Sequence, residues 1–202
     1  MKRRYIVFFI LGLLVVDQIV KFYIKTHMTL GESIAVFGRW FQIYFIENEG
    51  AAFGMSLGGQ YGKLTLSLFR IVVVALICWL IDHLRRKQMS TGMIVGVSLV
   101  LAGALGNIID SAFYGLIFSE STWTSVATFL PEGGGYAGFL HGKVVDMLYF
   151  PLFTIHNMPG WLSWLSGADG VFTFFAPVFN LADTYISVAV IYMIVFQWKH
   201  FK

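Results

Sequence analysis

Four apolar stretches, at 5–24, 64–81, 93–113 and 176–198, each approach the twenty or so residues that a helix needs to cross about 30 Å of hydrocarbon. Inside a bilayer every backbone N–H and C=O must be satisfied within the segment, so such blocks fold as helices. The pattern predicts one membrane-embedded domain over 1–202, a four-helix bundle with long connections at 25–63 and 114–175. The composition agrees, with 57% hydrophobic and only 12% charged residues.

The 14 Lys and Arg residues are placed topologically. Lys2, Arg3 and Arg4 precede the first block, Arg85, Arg86 and Lys87 follow the second, and Lys199 and Lys202 close the chain. The positive-inside rule then puts both termini in the cytoplasm. Both long connections fall on the extracytoplasmic side. A net charge of +3 without a basic aromatic stripe argues against a nucleic-acid partner. Cys78, the only cysteine, lies in an apolar block and excludes an intrachain disulfide. The basic start could open a secretory signal, but Asp17, Gln18 and Lys21 stand where a small-x-small cleavage site is needed, so an uncleaved first span is expected.

The first connection contains Arg39-Trp-Phe-Gln-Ile-Tyr-Phe-Ile-Glu47, whose aromatic and β-branched residues predict strands, and so a small sheet on the outer membrane surface. The second contains Pro131-Glu-Gly-Gly-Gly-Tyr-Ala-Gly138, a flexible turn, and Trp161-Leu-Ser-Trp164, an interfacial aromatic segment suited to a lid.

Polar residues interrupt the apolar blocks at a common depth. At about 1.5 Å per residue from the cytoplasmic ends, Asp17 and Arg70 lie roughly 20 Å up, Asp183 roughly 22 Å, Asn107 roughly 24 Å and Asp110 near 28 Å. Ionisable groups at such depth are functional candidates. A structural hydrogen-bond network explains any one of them equally well, and the set less well. Asn107 and Asp110 are three apart, as are Asn180 and Asp183, which puts an amide beside a carboxylate on a helix face. Asp17 and Lys21, four apart, are spaced for an intrahelical ion pair. Gly103, Ala104 and Gly106 permit close helix approach.

Five segments carry a resemblance. Val15-Val-Asp-Gln-Ile-Val-Lys21, Glu47-Asn-Glu-Gly-Ala-Ala-Phe-Gly54, Gly103-Ala-Leu-Gly-Asn-Ile-Ile-Asp110, Val144-Val-Asp146 and Phe179-Asn-Leu-Ala-Asp183 resemble, in order, the motifs of lipoprotein signal peptidases. The resemblance implies a cofactor-free, metal-free aspartyl endopeptidase of the bacterial inner membrane. Its fold would be a four-helix bundle with an extracytoplasmic β-cradle, and it would remove signal peptides ahead of a diacylglyceryl-modified cysteine. Its partners would be lipid-modified prolipoproteins and membrane lipid, and a monomer is expected. Asp146 and Asp183 match the catalytic pair. Asp17, Lys21, Asn48, Gly103, Asn107, Asp110 and Asn180 match pocket or supporting positions. Ser111 stands where the family usually has Arg, and the stretches around Asp146 are longer than the family's compact form. Arg70, by its depth, and Lys143, three residues from Asp146, are the candidate replacement cations.

Other chemistries fit poorly. His27, His83, His141, His156 and His200 are scattered, with no metal-binding His pair and no membrane His to activate a serine. A small ion-coupled transporter would also gather Asp, Asn and Lys inside a bundle, but repeats or broken helices would be expected. A non-catalytic scaffold leaves the carboxylates with paired amides unexplained.

Overall fold

A computed structural model describes residues 1–49, 59–156, 159–165 and 170–200. Among the described residues three helices are long and apolar enough to cross a membrane: α1 (Arg3–His27), α2 (Gly59–Arg86) and α3 (Thr91–Ile109). They coincide with the first three apolar blocks, and α3 is capped at its start by Ser90, whose side chain accepts from the Met93 N–H. After α3 the chain runs through one π-helical turn, Asp110–Tyr114, and a single further turn, α4 (Gly115–Ile117).

The last apolar block forms a shorter helix than expected, α5 (Leu181–Phe196). Its first residues are drawn into a strand, and Asn180 stops the helix there. The Asn180 side chain accepts from the Asp183 N–H, and the Asp183 carboxylate accepts from the Asn180 N–H, a reciprocal capping box. The three-residue spacing read as a shared helix face is in fact the helix entrance.

The helices bury Ile6, Ile10, Ile94, Val97 and Leu101 against one another, while large apolar side chains such as Phe8, Phe69, Trp79 and Ile191 point outward. Outward-facing apolar groups of that size suit a hydrocarbon surround. Packing of α5 on α3 is close because Gly103 and Gly106 lack side chains. A Cβ on Gly103 would strike the Ala182 carbonyl, and one on Gly106 would come within 2.8 Å of the Asp17 carboxylate.

At one end of the helices lies a small antiparallel sheet, ordered β1 (Ser33–Phe37), β2 (Phe41–Asn48), β3 (Val144–Tyr149), β6 (Val178–Phe179). β2 falls in the segment that predicts strands, and β1 lies just before it in the same connection. β3 lies in the second connection, where no strand is expected, and β6 takes the first residues of the last apolar block, expected as helix. Opposite Asp146 stands Ile46, and Asn48 faces Val144; the β2–β3 register shifts between Ile43 and Ile46. A separate hairpin, β4 (Phe153–His156) and β5 (Val171–Phe174), leaves the sheet between β3 and β6. A 3-10 segment at Gly160–Leu165 carries Trp161 and Trp164, both exposed. One face of the sheet packs Phe45, Val145 and Met147 onto Ile24 and Met28 of α1 and onto Tyr114, Phe118 and Ala127.

Candidate active site

Polar side chains from α1, α3, β2, β3 and α5 converge where the sheet meets the helices. Lys21 is the centre of the first half. Its Nζ lies 3.0 Å from Asp17 Oδ2 and 2.9 Å from Asp110 Oδ2, and it donates to Asn107 Oδ1 at 3.1 Å. All four groups are buried. The expected Asp17–Lys21 pair is therefore present, with a second carboxylate on the same ammonium.

Asp17 and Asp110 also tie backbone together. Asp17 Oδ1 accepts the Ala182 N–H at 3.0 Å, one of the orphan donors at the start of α5, and its negative charge complements that helix end. Asp110 Oδ2 accepts the Val145 N–H at 3.3 Å, which docks β3 beside the helices. Gly142 makes this approach sterically feasible, since a Cβ there would strike the Asp110 carbonyl.

The second half joins Asp146 and Asp183 through two amides. Asn180 Nδ2 donates to Asp146 Oδ1 at 2.7 Å and to Asn107 Oδ1 at 3.0 Å. Asn107 Nδ2 in turn donates to Asp183 Oδ1 at 2.8 Å. Two side chains separated by 37 positions in sequence thus share one hydrogen-bonded chain. Asn48 adds a further hydrogen bond to Asp146 from β2.

Asp146 is 2% exposed, and burial is the main reason its carboxyl is pushed up to about 7. The Asp183 charge raises it further, whereas hydrogen bonds from Asn180 and Asn48 and the charge of Lys21 pull it down. Four carboxylates, Asp17, Asp110, Asp146 and Asp183, face two cations, Lys21 and Arg70. A retained proton reduces the excess negative charge, and burial predisposes Asp146 to hold one.

The two candidate cations part company. Arg70 on α2 feels the charges of Asp183, Asp110 and Asp146, that of Asp183 most. Lys143 turns the other way, to Glu120 at 3.1 Å and Glu47 at 3.8 Å. Lys143 immediately precedes β3, and the strand's alternation carried back one residue turns it away from the face of Asp146. Ser111, at the place of the family's Arg, donates to the Asn107 carbonyl at 3.0 Å and stays within its own helix. Arg70→Ala is expected to lower turnover roughly ten- to a hundredfold and Lys143→Ala to lower it much less. Equal losses, or the reverse order, would remove Arg70 from the role.

Gln18 was not singled out from sequence, yet its amide donates to Asp110 Oδ1 at 2.9 Å, Asp17 Oδ2 at 3.1 Å and the Gly106 carbonyl at 3.4 Å, and accepts from the Tyr114 hydroxyl at 3.2 Å. The available signal was an amide one residue from a buried carboxylate. Residues 50–54 of the Glu47–Gly54 motif lie outside the described residues. Among the described residues no His, Cys, Asp and Glu cluster suits a metal ion.

Residues 9–199 match the family model described as Signal peptidase (SPase) II. A lipoprotein signal peptidase of Porphyromonas gingivalis is 50% identical over 184 residues, covering 91% of this chain and 78% of the relative. One of Amoebophilus asiaticus is 35% identical over 179 residues, covering 87% and 70%. A bacterial membrane enzyme solved by the in meso method at 2.3 Å resolution shares the fold with a TM-score of 0.60 at 24% identity, over 98% of this chain and 89% of the other.

Proposed function

The chain belongs to the signal peptidase II family, a protease that removes signal peptides from prolipoproteins, and from this premise we propose that Asp146 and Asp183 are its catalytic pair. The observation that carries the reading is the chain Asp146–Asn180–Asn107–Asp183, which links the two carboxylates, while burial pushes Asp146 up to about 7.

Peptide hydrolysis by two carboxylates needs one charged and one protonated. The charged carboxylate takes a proton from water as its oxygen attacks the scissile carbonyl. The protonated one delivers its proton to the departing nitrogen as the C–N bond breaks. Asn180 and Asn107 fix both carboxylates, and Lys21 holds Asn107 in place through its carbonyl oxygen. Arg70 balances the charge left on Asp183. Because the charge of Asp183 acts on Asp146, the proton belongs to the pair, and the roles of base and acid follow from where it sits.

The remaining architecture fits a membrane-borne substrate. The sheet formed by β1, β2, β3 and β6 serves as a cradle on the extracytoplasmic side, with both termini cytoplasmic and α5 completing a four-helix bundle. The hairpin with exposed Trp161 and Trp164 acts as an interfacial lid. A lipid-modified signal peptide reaches the pair laterally from the bilayer, and cleavage falls before the lipidated cysteine. No feature of the site favours ion-coupled transport.

Purified protein incubated with a diacylglyceryl-modified prolipoprotein is expected to yield the shortened product. Activity should fall as pH rises above about 7, where Asp146 loses its proton. Cleavage that stays level well into the alkaline range would sink the shared-proton mechanism.

A further inference from the structure

One turn beyond Lys21, a second lysine is buried that the chemistry above does not use. Lys25 is 0% exposed and ion-paired with Glu47 of β2, whose side chain is 2% exposed. Its Nζ also donates to Ser121 Oγ at 2.9 Å, and Ser121 donates to Glu47 Oε1 at 2.8 Å. The rings of Phe118 and Tyr136 lie 5.5 and 5.0 Å from the ammonium. Among the described residues Glu47 Oε2 is buried without a hydrogen bond, and Lys143 approaches it no closer than 3.8 Å.

An ion pair desolvated to this degree is weak evidence for stability, because apolar residues of similar volume would serve as well or better. Its position suggests another use. Strand alternation puts Glu47 on the opposite face of β2 from Ile46 and Asn48. On the front face Asn48 bonds Asp146, and Ile46 pairs with it across the ladder. Behind the sheet, Phe45, Val145 and Met147 pack on Ile24 and Met28. Apolar contacts of that kind hold a strand down but are non-directional. The β2–β3 register is already irregular between Ile43 and Ile46, immediately before the residues that meet Asp146. A slip by one residue there would turn Asn48 away from the site.

We propose that Lys25, Glu47 and Ser121 form a register pin behind the sheet, and that Lys25 and Glu47 are positioning residues that hold Asn48 on Asp146. The inference rests on the catalytic reading of Asp146. The groups facing Asp146 are Asn48 from β2, Asn180 and Asp183 from α5, Lys21 from α1 and Arg70 from α2. Lys25 is not among them, so its influence travels through the strand.

The decisive variant is Glu47→Gln, which keeps the volume and removes the charge. Simple electrostatics predicts that losing a nearby negative charge makes Asp146 release its proton more easily. Loss of the Asn48 hydrogen bond predicts the opposite, because that bond favours the carboxylate. Full-length protein is assayed for lipidated prolipoprotein cleavage across pH, and in parallel for the protonated-carboxyl infrared band that Asp146→Asn abolishes. Glu47→Gln and Lys25→Met are each expected to move the alkaline limb and the band upward by roughly half a pH unit or more. kcat should fall about tenfold while KM changes little, and Lys25→Arg should restore most of the loss. In an Asn48→Ala background Glu47→Gln should add no further upward shift. A folded Glu47→Gln protein whose limb and band stay put or move down overturns the proposal, even if Lys25→Met fails to fold. The band titrates whether or not the protein turns over, so a failed pin is distinguishable from an active Asp146→Asn, which would instead defeat the catalytic reading.

Discussion

Replacing either Asp146 or Asp183 by Asn is expected to lower prolipoprotein cleavage by at least about a thousandfold, with the protein still folded and membrane-extractable. Asn is nearly isosteric with Asp and keeps one acceptor oxygen. Asn180 can still donate to position 146 and Asn107 to position 183, so the amide chain linking the two positions survives. What disappears is the ability to exchange a proton with water or with the leaving nitrogen. Two carboxylates that serve one catalytic step act as a unit, so under the proposed assignment the double variant should be little worse than either single one. Retention of full activity by one single variant would show that its carboxylate is not needed. Activity lost together with folding would instead point to a purely structural role.

The largest stability effect is expected at Lys21. Lys21→Met removes the ammonium that Asp17, Asp110 and Asn107 share, leaving two buried carboxylates with less compensation. Breaking a buried pair by deleting one partner costs about 3–5 kcal/mol, which for a chain of this size lowers the unfolding midpoint by roughly 10 °C. Asp17 further loses the partner that orients it onto the Ala182 N–H, so the start of α5 should loosen as well. Thermal unfolding in detergent, followed by helical circular dichroism, reads the effect. Adding Asp17→Asn and Asp110→Asn to Lys21→Met should recover part of the loss. An unaltered midpoint in the single variant would mean that the ammonium contributes nothing net to the folded state.

Much of this arrangement is legible in the sequence because the bilayer makes polar residues conspicuous. Asp17, Arg70, Asn107, Asp110 and Asp183 stand out against apolar neighbours, helix rise alone puts them at similar depth, and Lys21 follows from its spacing to Asp17. Helices α1, α2 and α3 follow from apolar length. The start of α5 does not, since its capping signal at Asn180 is embedded in residues as apolar as the helix itself. Strands β3 and β6 were equally hidden, because what makes them strands is pairing with β2 and with each other across long sequence distances. Lys25 and Glu47 escaped for a related reason: each resembles a residue at a membrane boundary, and only the folded sheet shows that both are dehydrated. Gln18 was overshadowed by the carboxylate beside it.

The direct ladder between β3 and β6 has a consequence for how such a chain can change length. Leu148 pairs with Phe179 and Tyr149 with Val178, so residues 150–177 form an excursion whose two ends are stapled side by side. Segments added or removed between Phe150 and Phe175, which pack on Phe41 and Phe179, leave the ladder itself intact. The long connection can therefore be lengthened, trimmed or replaced to suit a different bilayer surface or cargo, while the acidic groups that precede and follow it keep their spacing.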